Sequence, residues 1–172
     1  LISLEDKNME NGLVSGIAFQ KNQIKFTLHG VSDTPGMAYG ILGPLSDANI
    51  EVDVIVQNVS VNGNTDFTFT VHRSDFTKAQ TVLKRVAKKL DANGIEGADN
   101  IAKVSIVDVG MRSHAGVASR MFEALAKENI NIQMISTSDI KVSVVIEEKY
   151  LELAVRALHS AFELDAPASK GE

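Results

Sequence analysis

The sequence contains no cysteine and no tryptophan, and its 17 basic residues are outnumbered by 22 acidic ones. Without cysteine, a disulfide framework, a thiolate nucleophile and a zinc–thiolate site are all excluded. A formal net charge of -5 leaves no basic field that would neutralise phosphates or anionic lipids, so we expect no nucleic acid and no membrane among the partners. No apolar run approaches the ~18 residues of a membrane-spanning helix, and no signal-like start is present, which suits a cytoplasmic protein.

What is present is the composition of a globular protein. Hydrophobic residues make up 44% and charged residues 23%, well outside the range of disordered chains. A length of 172 residues allows one domain or two small ones. The chain starts at Leu1, and we interpret residues 1–12 as a linker from a preceding domain, with Met9 as an internal start; residues 166–172 resemble a solvated tail.

The first half of the chain contains strand and helix patterns in a regular order. The Asn62-Gly63 pair predicts a tight hairpin turn, Pro44 predicts a kinked or shortened helix, and Ser74-Asp75 predicts a helix cap. Residues 91–100 are polar and glycine-rich, which indicates a linker. The predicted strands are 13–20, 23–31, 50–60 and 65–71, with Lys21-Asn22 separating the first two, and the predicted helices are 36–48 and 75–89.

The second half repeats this order, with predicted strands at 102–110, 130–138 and 140–146 and helices at 113–127 and 148–162. Aligning Gly36 with Gly116 also superimposes further residues at the same shift of 80 positions, which indicates an internal repeat. The matched pairs are Leu45 with Leu125, Asn49 with Asn129, Ile50 with Ile130, Val52 with Ile132, and Ile55 with Ile135.

Each repeat has the β-α-β-β-α order of a split βαβ unit, so the predicted fold class is α+β with two ferredoxin-like βαββαβ domains in tandem. The first unit has one strand too many, so we expect residues 13–20 to complete the second sheet and the first domain to be inserted within the second. The predicted limits are 23–95 for the first domain, and 13–22 plus 96–165 for the second.

Residues that could carry out catalysis do not converge in the sequence. The four histidines lack metal-ligand spacing, and Glu147-Glu148 precede a helix, where carboxylates favour the positive end of the dipole. Phe67 and Phe69 could stack on RNA bases, but no basic residues flank them and a place in the core is the better interpretation. The histidines are His29, His72, His114 and His159.

The segment from Asp33 to Gly36 is the best candidate for a binding site. A glycine that opens a helix leaves first-turn N–H groups free to face a small anion, and lets a ligand approach the backbone. Asp33 beside those amides could pair with an ammonium group, so the two features together describe a site for a free α-amino acid. The alternative is that Asp33 and Gly36 only shape a corner between a strand and a helix.

Two long stretches resemble the regulatory region of aspartate kinases, which carries tandem ACT domains. They are VSDTPGMAYGILGPLSDANIEVDVIVQNVS and GMRSHAGVASRMFEALAKENINIQMISTSDIKVSVVI, within a resemblance that spans residues 9 to about 165. In some relatives this region is also translated separately as a β subunit. The resemblance implies a first, threonine-binding effector site formed by Asp33, Pro35, Gly36, Met37, Ala38 and Gln57, completed by Asn131 and Ile132 from the other ACT domain.

A second effector site, linked in this family to lysine, is implied at Ser60, Ser113, His114, Gly116, Val117, Ala118, Ser138 and Asp139. Arg112-Ser113 occupy the start of the second loop, so it lacks an acid equivalent to Asp33. Asp139 stands where a glutamate is frequent in the family, and Met134 departs from the residue that is usual at that position of the strand. The second site therefore cannot duplicate the ligand recognition of the first.

The resemblance implies that threonine and lysine act as effectors and feed back on aspartate phosphorylation. It further implies a homodimer through the ACT domains, attachment to an aspartate kinase catalytic domain, and no cofactor in this chain, since ATP and Mg would belong to that catalytic domain. Three alternatives stay open: a non-catalytic dimerisation or scaffold module, an ACT sensor of another amino-acid pathway, and a ferredoxin-like enzyme, which would need a polar cluster that the sequence does not show.

Overall fold

The computed structural model describes residues 16–108 and 113–162. These residues form six β-strands and four α-helices. Short 3₁₀ helices at Arg73–Asp75 and Glu148–Tyr150 lie directly before the second and the fourth α-helix. In chain order the elements are β1 (Gly16–Ser32), α1 (Met37–Asp47), β2 (Val52–Gln57), β3 (Asn64–His72), α2 (Phe76–Lys89), β4 (Gly94–Val107), α3 (His114–Lys127), β5 (Met134–Thr137), β6 (Lys141–Glu147) and α4 (Leu151–Ala161).

The chain divides into two compact units. The central unit is Asn22–Ile101, and the flanking unit combines the described residues within Leu1–Lys21 and Ala102–Glu172. Hydrogen-bonded strand order is β2-β3-β1-β4 in the central unit and β1-β4-β6-β5 in the flanking unit, the order expected of ferredoxin-like repeats. The predicted α+β class with two repeats is therefore confirmed. The insertion of the first domain within the second, and the limits of both domains, stay predictions.

The prediction of two strands at 13–20 and 23–31 is wrong, because residues 16–32 form the single strand β1. Asn22 lies within it with a φ of 61°, a conformation that asparagine tolerates better than most residues. The predicted linker at 91–100 is also wrong, since β4 begins at Gly94. Most residues of this first half of β4 are exposed or partly exposed, so it has no hydrophobic alternation from which a strand could be predicted.

The core of the central unit lies between its strands and helices α1 and α2. Phe26 of β1 stacks on Phe76 with ring centroids 5.7 Å apart and lies 6.0 Å from Phe69 of β3. Phe67 and Phe69 are fully buried, which confirms that they are core residues and excludes base stacking on this strand. Each buried phenylalanine contributes about 1.5–3 kcal/mol of hydrophobic stabilisation.

The core of the flanking unit is built in the same way from smaller side chains. Val142, Val144 and Ile146 of β6 occupy the places that Phe67, Phe69 and Val71 take in β3, and all are buried. They pack on α3 and α4 through Met121, Leu125, Leu151, Ala154 and Leu158. The repeat therefore preserves the buried pattern and not the identity of the core residues.

The ends of the first helix in each repeat show the duplication most clearly. Asn49 and Asn129 follow α1 and α3 with φ angles of 59° and 60°. The Ile50 amide donates to the Leu45 carbonyl at 3.0 Å, and the Ile130 amide donates to the Leu125 carbonyl at 3.0 Å. Both ends therefore use the same left-handed asparagine to terminate the helix.

Three local predictions have mixed outcomes. The hairpin is confirmed, since Asn62 and Gly63 have φ angles of 56° and 81°. Helix α1 continues through Pro44 to Asp47. Asp75 is the N-cap residue of α2, as predicted, but its side chain makes no cap bond, and the Ser74 amide donates to the His72 ring at 3.0 Å. Within 16–108 and 113–162, no helix has the length and apolarity to span a membrane.

Candidate effector-binding loops

The first loop joins β1 to α1 and turns on a left-handed glycine. Asp33, Thr34, Pro35 and Gly36 are exposed, and Gly36 has a φ of 90°, where a side chain would be strained. Apart from its neighbours in the chain, a Cβ atom placed on Gly36 would meet no atom within 4 Å. The glycine is therefore required by the backbone conformation, and the space in front of it is open to a ligand.

The first turn of α1 provides amide groups beside this glycine. The Met37 amide donates to the Thr34 carbonyl at 3.1 Å, and the Gly40 amide donates to the Gly36 carbonyl at 2.9 Å. Between them lie Ala38 and Tyr39, first-turn residues whose N–H groups have no acceptor within the helix. No side chain caps this helix start. The N-terminus of α1 thus has the positive end of the helix dipole and the N–H donors that favour an anion.

Two of the predicted site residues contact each other at this loop. The Gln57 side-chain amide, at the end of β2, donates to Asp33 Oδ1 at 3.3 Å. The Asp33 amide donates to the Gly63 carbonyl at 2.9 Å, which ties the loop to the β2–β3 hairpin. An exposed carboxylate and a carboxamide therefore lie near the helix start, an arrangement that can take an ammonium and a carboxylate group together.

Four further residues predicted for this site lie in the first turn of α1 and in the flanking unit. Met37 is buried in the central core and Ala38 packs against it, so only their backbone groups are available to a ligand. Asn131 and Ile132 belong to the flanking unit, in the segment before β5. Asn131 is exposed, and Ile132 packs on the flanking core. Their place in the first site stays a prediction.

The second loop begins its helix in a different manner. Ser113 is the N-cap of α3, and its hydroxyl accepts a bond from the Gly116 amide at 3.1 Å. Gly116 lies inside α3 and lacks the positive φ of Gly36, so its alignment with Gly36 in the repeat does not extend to the same glycine turn. His114 Nε2 donates to the Ser138 carbonyl at 2.6 Å. Arg112 lies outside the described residues.

The structure brings together most of the second predicted set, but not all of it. Ser113, His114, Gly116, Val117 and Ala118 form the start of α3, and Ser138 and Asp139 form the exposed β5–β6 turn that His114 contacts. Ser60 belongs to the central unit, before the Asn62-Gly63 turn. An effector role for these residues stays a prediction.

Sequence reasoning missed a polar cluster next to the first loop. His29 Nδ1 lies 3.2 Å from Asp66 Oδ2, and His29 Nε2 lies 2.8 Å from Glu96 Oε1. The Gly30 amide donates to Asp66 Oδ1 at 3.0 Å. Hydrogen bonds from the His29 ring to Glu96, and then to Asp66, raise the pKa of His29 against the opposing effect of burial, and the bond from the Gly30 amide lowers the pKa of Asp66.

This cluster could not be predicted from motif spacing, because its members are 37 and 67 residues from His29 and meet only through strand pairing. The single sequence signal is a histidine followed by a glycine at the end of a strand. Among residues 16–108 and 113–162, no group of three or more histidine, aspartate or glutamate side chains could hold a metal ion.

The comparisons with known proteins agree with this architecture. A family model described as ACT domain matches residues 27–86 and 104–162, one match for each repeat. The chain belongs to the ACT domain family. The first match starts in β1 and ends in α2, and the second starts in β4 and ends just after α4, so each covers one βαββα repeat with its helix-start loop.

This tandem ACT chain is also similar to aspartokinases over nearly its whole length. It is 68% identical over 168 residues to an aspartate kinase of Pseudomonas fluorescens, a match that covers 98% of this chain and 41% of that protein. The chain therefore spans about two fifths of that relative's length. It corresponds to the regulatory ACT region of these enzymes.

Solved structures give the same result. The aspartokinase alpha and beta subunits share 56% identity and a TM-score of 0.82, with 87% of this chain and 99% of that one covered. The regulatory subunit of aspartate kinase from Thermus thermophilus, in a ligand-free form, shares 36% identity and a TM-score of 0.82, with 87% and 98% covered. The tandem ACT fold of the chain is thus shared with regulatory chains of aspartokinases.

Proposed function

We propose that this chain is the amino-acid-sensing region of an aspartate kinase and that it binds threonine at the first loop. The observation that carries the proposal is the contact of Asp33 with Gln57 beside the uncapped start of α1. The resemblance to aspartokinase regulatory regions selects threonine among free amino acids, and lysine as the second effector. The outcome is feedback inhibition of aspartate phosphorylation.

The geometry supports recognition of the two charged groups of an α-amino acid. The effector carboxylate lies at the start of α1, where the dipole and the amides of Ala38 and Tyr39 favour negative charge. The effector ammonium lies against the Asp33 carboxylate, which Gln57 holds in place. Hydrogen bonds to charged groups contribute about 1.5–3 kcal/mol each, so these two contacts favour a free α-amino acid, while the choice of threonine rests on the family resemblance.

The second loop binds its effector by another chemistry. One first-turn amide of α3, that of Gly116, already donates to Ser113, and no acid stands at the position of Asp33. The Ser113 hydroxyl, the His114 ring and the Ser138–Asp139 turn are the polar groups assembled there. We assign lysine to this set.

The dimer proposal is supported by the two edge strands. β2 and β5 end the strand orders of their units, and each exposes an isoleucine at the corresponding position of the repeat. Ile55 is 46% exposed and Ile135 is 47% exposed. Unpaired edge strands with exposed apolar side chains favour pairing with another chain. A second copy of the ACT region is the partner that we propose.

Regulation then follows from linkage. Threonine and lysine bind one arrangement of the ACT assembly more tightly and so bias the attached catalytic domain, which binds ATP and Mg, towards an inactive state. The size of the effect cannot exceed the difference in effector affinity between the two states.

The deciding experiment is calorimetric titration of the 172-residue chain with threonine, and separately with lysine, for wild type and Asp33→Ala. Loss of a charged hydrogen-bond partner predicts threonine binding that is about 10- to 100-fold weaker in the variant, with lysine binding retained. Asp47→Ala removes an exposed acid at the other end of α1 and is the matched control, which should bind threonine like wild type.

Two outcomes would contradict the proposal. A folded wild-type chain that binds neither amino acid would favour the scaffold alternative. Saturable binding of a different amino acid, lost in Asp33→Ala, would keep the site and assign the chain to another sensing pathway.

A further inference from the structure

The strand that leads into the first loop contains a β-bulge, and an acid on the neighbouring strand holds both bulge residues. Leu28 pairs with Phe67, but the next pair towards the loop is Val31 with Thr65. Two residues of β1, His29 and Gly30, therefore stand opposite Asp66 alone. Asp66 Oδ1 accepts the Gly30 amide at 3.0 Å, and Asp66 Oδ2 contacts His29 Nδ1 at 3.2 Å.

The bulge sets the register of everything that follows it. Beyond it, Val31 pairs with Thr65 and Ser32 with Asn64, and the Asp33 amide then donates to the Gly63 carbonyl at 2.9 Å. A shift of one residue would turn each of these side chains to the other face of the sheet. The place of Asp33, and hence its contact with Gln57, thus depends on how firmly the bulge is held.

We infer that Asp66 is a positioning residue for the effector loop, and that proton binding at His29 adjusts the loop's affinity for its amino acid. This inference rests on the proposed function, because it assigns a regulating proton to that same site. Protonated His29 holds the bulge in the arrangement that binds the effector, and neutral His29 loosens it.

The number of N–H donors on the His29 ring sets the direction of the pH effect. The titratable groups that face His29 are Asp66 from β3 and Glu96 from β4, and both are acids. Before β4, the Asn93 amide donates to the His29 carbonyl at 2.7 Å, and the uncharged Asn93 side chain lies against Gly30. Ionised carboxylates only accept hydrogen bonds, and a neutral imidazole has one N–H, so only imidazolium can donate to both partners.

These contacts raise the pKa of His29 in the folded chain. Their contribution to the stability of the bulge is therefore fully present below the unfolded pKa and is lost as pH rises through the folded pKa. Affinity for the effector should therefore fall over the same interval. By reciprocity, a bound effector should raise the pKa of His29 further.

The first test is calorimetric titration of threonine into the full 172-residue chain between about pH 6 and pH 8, where histidine titrates. Wild type should bind about three- to tenfold more weakly at the upper end, the effect expected when a single supporting hydrogen bond is lost. His29→Gln, which cannot gain a proton, should show no such change. His72→Gln, at the opposite end of β3, is the matched control and should follow wild type.

Asp66 is tested at constant pH by rescue. Asp66→Ala removes the acceptor of the Gly30 amide and should weaken threonine binding by about tenfold, whereas Asp66→Asn keeps an acceptor oxygen and should restore most of the affinity but not its dependence on pH. A purely structural role would lower thermal stability in Asp66→Ala and leave the pH profile of Asp66→Asn like that of wild type.

A second readout needs no ligand. In nuclear magnetic resonance titrations of the chain, the amide signals of Gly30 and Asp33 should shift with the same midpoint as the His29 ring. Binding without pH dependence, or amide signals that ignore His29, would overturn the inference and leave the proposed function standing. Absence of threonine binding at every pH would overturn both.

Discussion

The two helix-start loops occupy corresponding places in the repeat but solve the same problem differently. Before α1 the chain turns on Gly36 in a left-handed conformation, with no side-chain cap. Before α3 the cap is Ser113 in an extended conformation, and its hydroxyl holds the Gly116 amide. At α1 the first-turn amide N–H groups are left for a ligand, whereas at α3 the Gly116 N–H already donates to the Ser113 hydroxyl.

The far ends of the same helices did not diverge in this way. Asn49 and Asn129 adopt the same left-handed conformation, and the bonds that close the two helices have the same length. Duplication has therefore kept the features that pack and terminate the elements. The loops that could contact effectors are where the repeats differ, which agrees with two sites of different chemistry.

The largest expected difference between the repeats lies in their cores. Phe69→Ala should destabilise the chain by about 3–5 kcal/mol, because a fully buried ring leaves a large cavity. Val144→Ala, at the corresponding place in β6, removes far less volume and should cost clearly less. Urea unfolding measures both. Equal losses would mean that the two cores do not have the correspondence assigned here.

Much of this fold follows from sequence pattern. The hydrophobic spacing locates all four helices, and Asn62-Gly63 locates the hairpin because both residues accept positive φ. Two features did not follow: β1 runs through Asn22, and β4 starts in a polar stretch. Both depend on pairing with a neighbouring strand, which supplies hydrogen bonds that local composition does not reveal.

The same distinction, between local sequence and strand pairing, decides which parts of the candidate sites could be predicted. Asp33 and Gly36 lie three residues apart, and the chemistry of a helix start can be predicted from that segment alone. Gln57 was assigned to this site only through the family resemblance, and its contact with Asp33 is seen only in the structure. Asp66 could not be connected to His29, since their meeting depends on the β1–β3 register and on one extra residue at the bulge.

A smaller effect separates the two glycines. Gly36→Ala places a side chain at a φ of 90°, and should destabilise the chain by about 1–2 kcal/mol although the space around it is open. Gly116→Ala lies within α3, where alanine is the better helix former, but its Cβ would lie 3.3 Å from the capping Ser113 hydroxyl oxygen. The two effects oppose each other, so the variant should stay within about 0.5 kcal/mol of wild type. Thermal unfolding of the two variants compares them directly. A Gly36→Ala chain as stable as wild type would show that this corner does not need glycine.

The smallest effect concerns the serine cap. Ser113→Ala removes the acceptor of the Gly116 amide and should destabilise the chain by about 1 kcal/mol, the usual loss for a capping residue. Ser113→Thr keeps the hydroxyl and should recover most of that loss. The comparison with α1 gives the test its value, because that helix has no side-chain cap to lose. If Ser113→Ala left thermal stability unchanged and altered only lysine binding, the hydroxyl would be a ligand group first and a cap second. Stability loss with unchanged lysine binding would instead confine Ser113 to holding the helix start.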